Sequence, residues 1–139
     1  MAELANNNDG LTRIKHIIFT CVGAFIMSAA AVWMVTIVQF TNTAASARGI
    51  VTELNAGGSH PQVRFTAQTG EVVEYPQNGL IFGYEVGDEV RVLYQPDHPR
   101  NATIDTFGAR YGFTIMMFLM GAIFVGAALL QKHRLGLVS

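Results

Sequence analysis

Four histidines (His16, His60, His98 and His133) and one cysteine (Cys21) are the side chains of this sequence that suit metal ligation or nucleophilic attack. A metal site needs several deprotonated donors gathered at turn or helix spacing. Asp97 and His98 are adjacent between Pro96 and Pro99, and His60 precedes Pro61, so a His60/Asp97/His98 site requires two separate loops to meet. The prolines make each segment a turn first, because Pro fixes φ and removes a donor. Glu85, Asp88 and Glu89 resemble a carboxylate pair, yet Gly87-Asp88 is ordinary turn chemistry at the entry to a strand. Ser46 and Ser59 have no evident base beside them, and Cys21 lies among apolar residues where a thiol behaves as a small hydrophobe. Phosphate-cradling, dinucleotide, zincin and nucleophile-elbow motifs are absent from the sequence. The expectation is a non-enzymatic chain with no cofactor and no metal.

The elements that would position these side chains are set by hydropathy. Half of the 139 residues are apolar, only 14% are charged, and the mean hydropathy is +0.32. About a quarter charged is usual for a soluble domain. A net charge of −1 excludes the basic face that a nucleic-acid binder needs. Ile17 to Phe40 carries no charge and as a helix reaches roughly 36 Å, beyond the roughly 30 Å hydrocarbon core. Tyr111 to Leu130 is a second uncharged run of bilayer length. A cleaved leader is the rival reading of the first run, with Ala29-Ala30-Ala31 or Ala45-Ser46-Ala47 as the cleavage site. The apolar stretch continues through Val38, longer than a leader needs, so a retained anchor is expected. Gly121, Ala122 and Gly126 in the second run, and Ala24 with Ser28 in the first, are small enough for close helix approach. Contact between the chain's own two helices is preferred over a homo-oligomer seam.

Arg13 and Lys15 precede the first span, and Lys132 and Arg134 follow the second. Between the spans, residues 41–110 hold five arginines against eight acids and no lysine. The positive-inside rule places both termini in the cytoplasm and the loop outside it. The expected organisation is a polar N-terminal tail (1–16), a first transmembrane helix (17–40), an extracytoplasmic β domain (41–110), a second transmembrane helix (111–130) and a C-terminal tail (131–139).

Within the loop, Thr41 to Ala47 reads as a linker, followed by short β-rich runs separated by turn residues. The expected strands are Gly49 to Leu54, Gln62 to Ala67, Glu71 to Tyr75, Glu89 to Tyr94 and Thr103 to Thr106. Alternation assigns Ile50, Val63, Phe65, Val72, Val86, Val90, Val92 and Ile104 to the core. The fold class is α+β: two transmembrane helices flanking a small antiparallel sheet or barrel of SH3 or OB type. Tyr94, Pro96, Asp97, His98 and Pro99 are its most distinctive candidate interaction surface, with fold maintenance as their first reading.

Gly49-Ile50-Val51, Pro61-Gln62-Val63-Arg64-Phe65, Gly70, Gly87-Asp88-Glu89-Val90-Arg91-Val92-Leu93-Tyr94-Gln95-Pro96, Asp97-His98-Pro99, Ala102 and Ile104, with a helix on each side, resemble the bacterial family called domain of unknown function 3592. The chain departs from that pattern at His98, where the family often has Asn, and at Gln95, where it often has Asp. The resemblance implies a two-helix envelope protein of the inner membrane and no activity. The functional expectation is a β domain presented for protein binding to an envelope or secreted partner, as an accessory subunit or an immunity protein. The alternative is a homo-oligomeric structural module whose only other contact is membrane lipid.

Overall fold

A computed structural model describes the backbone of residues 2–79 and 81–136, and the side chains of 10–55, 57–79 and 81–131. The element order is α1 (Ala2–Thr43), β1 (Ala45–Asn55), a 3-10 turn (Ala56–Gly58), β2 (His60–Thr66), β3 (Val72–Pro76), β4 (Glu89–Gln95), β5 (His98–Ile104) and α2 (Phe107–Gly136). Two stretches of helix, Gly10–Thr43 and Phe107–Gln131, are long and apolar enough to cross a membrane. The chain forms two compact units, the helix pair 1–33 with 114–139 and the β unit 34–113.

Two expectations at the ends of the first helix change. Residues up to Gly10, expected as part of a polar tail outside the helix, are helical from Ala2. The expected linker from Thr41 to Ala47 is reduced to Ala44, because Thr41 and Thr43 return their hydroxyls to Ile37 and Gln39 carbonyls and stay helical, after which β1 begins. The side chains of Lys132, His133 and Arg134 lie outside the described residues.

In the helix pair, close approach is made by residues seven apart. Gly23 and Ala30 on α1 are buried, as are Thr114, Gly121 and Ala128 on α2. A Cβ on Gly121 would stand 2.6 Å from Met27 Cγ, and one on Gly23 would stand 2.9 Å from the Gly121 carbonyl oxygen. Phe19 meets Phe124 edge-on at 5.8 Å, which with the Met27 contact sets the helices antiparallel. Gly121 thus packs as expected, but Ala122 is exposed and Gly126 has open space around it. The four-residue spacing misassigned these two, because the antiparallel seam repeats every seven. Gly121→Leu should destabilise the pair by about 1–3 kcal/mol through overpacking. Gly126→Leu should change it by less than about 0.5 kcal/mol. Denaturation of detergent-purified chain, followed by Trp33 fluorescence, checks both.

The β unit is one antiparallel sheet in the order β3-β2-β1-β4-β5. Long β1 is its centre, pairing with β2 on one side and β4 on the other. The sheet curls until edge strands β3 and β5 lie beside each other, giving a near-closed barrel. Its core is Val51, Val63, Phe65, Ala67, Val73, Tyr75, Val90, Val92, Tyr94 and Ile104. Phe65 organises the aromatic centre, 5.0 Å from Tyr94 and 6.0 Å from Tyr75 between ring centroids.

Ile50, Val72 and Val86, expected in the core, are exposed. On β1 the inward residue is Gly49, not Ile50, because Val92 and Val63 already fill the space above it; a Cβ there would lie 2.8 Å from Val92 Cγ2. On β3 the aromatic Tyr75 takes the inward phase, so Val73 follows it and Val72 faces out. Val86 is not in a strand at all. Thr52 is the extra residue of a bulge in β1, where Val51 pairs with Val63 and Glu53 with Gln62.

Candidate interaction surface

The last hairpin joins β4 to β5 with Gln95 opposite His98, so only Pro96 and Asp97 form the turn. His98 and Pro99 belong to β5 and not to the turn, a correction of the sequence reading; an edge strand tolerates the proline. Pro96, Asp97 and His98 are exposed and Pro99 is half-buried. Tyr94 is removed from this surface: it is 1% exposed, and its hydroxyl accepts the Gln68 backbone N–H at 2.9 Å. Gln95 ties the hairpin to the end of α1, donating from Nε2 to Thr43 Oγ1 at 2.9 Å and to the Phe40 carbonyl at 3.3 Å. That carbonyl is among the acceptors a helix end leaves unpaired.

His60 pairs with Asn55 at the far end of β1, while the hairpin lies beyond Ala45 at its near end. With roughly 30 Å of strand between them, His60, Asp97 and His98 are not brought together. His60 Nδ1 instead lies 2.9 Å from the Ser59 hydroxyl.

The connection from β3 to β4, residues 77–88, presents a different surface. It crosses from β3, at one edge of the sheet, to β4 on the far side of β1. Four backbone bonds pin it. Gln77 donates to the Pro61 carbonyl (2.9 Å), Ile81 to Ser59 (3.2 Å) and Gly87 to Val51 (2.8 Å), and Asp88 accepts from Val51 (3.0 Å). Asp88 Oδ2 also accepts the Glu85 N–H at 2.8 Å, closing the turn before β4. Gly83 at φ 88° and Gly87 at φ 101° hold bends that a side chain would strain.

Between these pins Ile81 tucks inward and Tyr84 packs against the core, yet Phe82 is 66% and Val86 63% exposed. Two large apolar residues held out on one pinned loop make it a candidate contact surface. Its charge is one-sided. From Phe65 to Val90 the sequence has Glu71, Glu74, Glu85, Asp88 and Glu89 and no Lys or Arg. Glu74 alone of these is neutralised: the Thr52 hydroxyl and then Arg64 hold its carboxyl below the usual range, with Arg64 Nη2 at 3.0 Å. Among the described residues no cation pairs with Glu85, Asp88 or Glu89.

No family model matches the chain, and no solved structure does. It is 44% identical over 108 residues to Immune protein Tsi4 of Pseudomonas aeruginosa strain PAO1, a match covering 77% of this chain and 74% of that protein. The chain belongs to the Tsi4 family.

Any stretch covering that share of a 139-residue chain includes residues 33–107. The whole sheet and the 77–88 connection therefore lie inside the match with Tsi4. The sequence signal for this loop was Gly79, Gly83 and Gly87 recurring every four residues through a mostly apolar stretch whose one charge is Glu85. Three glycines in nine residues break both helix and strand and read as a loop.

Proposed function

We propose that this protein is a membrane-anchored immunity protein that neutralises a toxin by binding it, without enzymatic chemistry. The kinship with Immune protein Tsi4 across the whole sheet carries this reading. In it, α1 and α2 cross the bacterial inner membrane with both termini in the cytoplasm, as Arg13, Lys15, Lys132 and Arg134 favour. The β unit then stands on the extracytoplasmic side, where an incoming toxin is met before it acts. The 77–88 connection is the docking element: Phe82 and Val86 supply the apolar anchor, and Glu85 and Glu89 a rim that selects a partner with basic residues around an apolar pocket. The resemblance to domain of unknown function 3592 is, on this reading, one of architecture.

Competition between strains tests this without the toxin being identified. A host strain lacking this gene, grown in contact with its parent, should be outcompeted, and a plasmid copy of the chain should restore its survival. Equal survival of the deletion strain in parental co-culture and in monoculture sinks the reading.

A further inference from the structure

On the outer face of the sheet, Arg48 of β1 stands directly opposite Arg91 of β4. Like charges in directly opposite positions repel. Arg48 has no ion-pair partner among the described residues, and Arg91 reaches only Asp105, at 3.9 Å. That carboxylate is already claimed by Arg110, whose Nη2 is 3.4 Å from the other oxygen. Arg110 also lies 5.4 Å from the Tyr111 ring centroid, and its buried Nε has no hydrogen-bond partner. Two guanidiniums thus share one carboxylate, and a third, Arg48, stands opposite one of them without an acid of its own among the described residues. An open groove of about 380 Å³ runs between Arg48 and Arg91, lined also by Ser46, Ala47, Val90 and Glu89. Glu89 lies one rung farther from the end of α1, opposite Ile50, so the positive end of the groove is the one toward the end of α1.

The location decides which anion fits. Arg110 is the residue immediately before the uncharged run that begins at Tyr111. Around it, Phe107 and Phe113 are exposed, and Phe107 stacks with Tyr111 at 5.2 Å. Tyr111, with an amphipathic ring at the first position of the apolar run, marks the headgroup layer. The chain of charges from Arg110 through Asp105 to Arg91 and Arg48 therefore extends from that layer across the face of the sheet.

We propose that Arg48, Arg91 and Arg110 bind the phosphate of an anionic phospholipid headgroup from the leaflet bordering the β unit. Guanidinium groups match phosphate geometry with paired N–H donors, and a bound phosphate relieves the Arg48–Arg91 repulsion. The site rests on α1 and α2 spanning the membrane.

Native mass spectrometry of the full chain in detergent tests this, with phosphatidylglycerol, phosphatidylcholine and inorganic phosphate titrated separately. The wild type should bind phosphatidylglycerol in preference to phosphatidylcholine. Arg48→Gln should weaken that binding about fivefold, and Arg48→Gln with Arg91→Gln about 25-fold. Arg13→Gln with Lys15→Gln, at the other end of α1, should leave the Arg48-dependent adduct in place. Because Arg48 has no ion-pair partner to lose among the described residues, Arg48→Gln should also raise the melting temperature in lipid-free neutral detergent. Equal affinity of the double variant and the wild type for phosphatidylglycerol overturns the proposal. So does saturation by inorganic phosphate at the lipid's concentration, or displacement by an acidic peptide but not by lipid. An alkaline carbonate wash of membranes checks the spanning reading separately: release of the chain defeats that reading and leaves the adduct measurement standing.

Discussion

Phe82→Asp combined with Val86→Asp should abolish protection in co-culture while leaving the β unit folded. Both side chains are exposed and outside the core, so their replacement removes no packing from Phe65, Tyr75 or Tyr94. The backbone bonds that pin the loop come from Gln77, Ile81, Gly87 and Val51, none of which is altered. An aromatic anchor at the centre of an interface typically contributes about 2–4 kcal/mol, so affinity for the proposed toxin partner should fall at least about 30-fold. Introducing two more carboxylates beside Glu85 and Glu89 adds desolvation to the loss. Circular dichroism and membrane content of the variant establish that the chain is intact, and growth against the parent strain reads the function. Glu85→Lys with Glu89→Lys should act differently, slowing association and reducing its dependence on salt more than it speeds dissociation. Asp97→Asn with His98→Asn, on the hairpin beside the end of α1, should retain protection. Loss of protection in the hairpin variant, with survival of the Phe82/Val86 variant, would move the docking surface to the other end of the barrel.

What could be read without coordinates follows how directly a residue's environment is encoded in its neighbours. Long uncharged runs define helices by composition alone, and Val63, Phe65, Val90 and Val92 alternate so regularly that their facing is determined locally. Gly49 defeats that rule, because its inward place depends on Val92 and Val63 arriving from two other strands. Pattern reading assigns the hydrophobic neighbour Ile50 instead. Tyr94 shows the same limit from the other side: its place beside a Pro-Asp-His-Pro segment draws attention as a surface feature, whereas its phase in β4 buries it. The candidate site was the least legible part. Glu85, Asp88 and Glu89 are visible as a cluster, but Phe82 becomes a surface residue only because backbone bonds to Ser59 and Val51, distant in sequence, hold the loop in place. The seven-residue repeat of Thr114, Gly121 and Ala128 was present in the sequence and was obscured by a commoner four-residue motif.

Gln77→Leu should destabilise the barrel by about 3 kcal/mol, because it leaves at least two buried groups unpaired at about 1–3 kcal/mol each. Gln77 is 2% exposed and stands where β3 and β5 meet without a backbone ladder. Its Oε1 accepts the Ile104 N–H at 2.7 Å and the Tyr75 hydroxyl at 3.3 Å, and its Nε2 donates to Thr103 Oγ1 at 3.2 Å and to the Asn78 carbonyl at 2.9 Å. One side-chain amide thus substitutes for the missing strand pairing. Domains of this size are marginal, and a loss of this size is a large part of a typical stability of about 5–15 kcal/mol. Thr103→Val removes one of the four bonds and should cost about 1 kcal/mol; combined with Gln77→Leu it should add less than that, since the two share a bond. Urea unfolding of the full chain in micelles, followed by far-ultraviolet circular dichroism, reads all three variants. The seam also sets an alkaline limit. Burial pushes the Tyr75 hydroxyl above its ordinary value, with Tyr84 adding to the shift. The unfolded chain therefore releases this proton near pH 10 while the folded chain holds it, so stability is full below about pH 10 and falls as pH rises beyond it. Tyr75→Phe should flatten that fall while costing stability at neutral pH, because the Gln77 carbonyl loses a donor. If Gln77→Leu instead unfolds at the wild-type urea concentration, apolar packing between Tyr75 and Ile104 suffices to close the barrel and the amide only fills it.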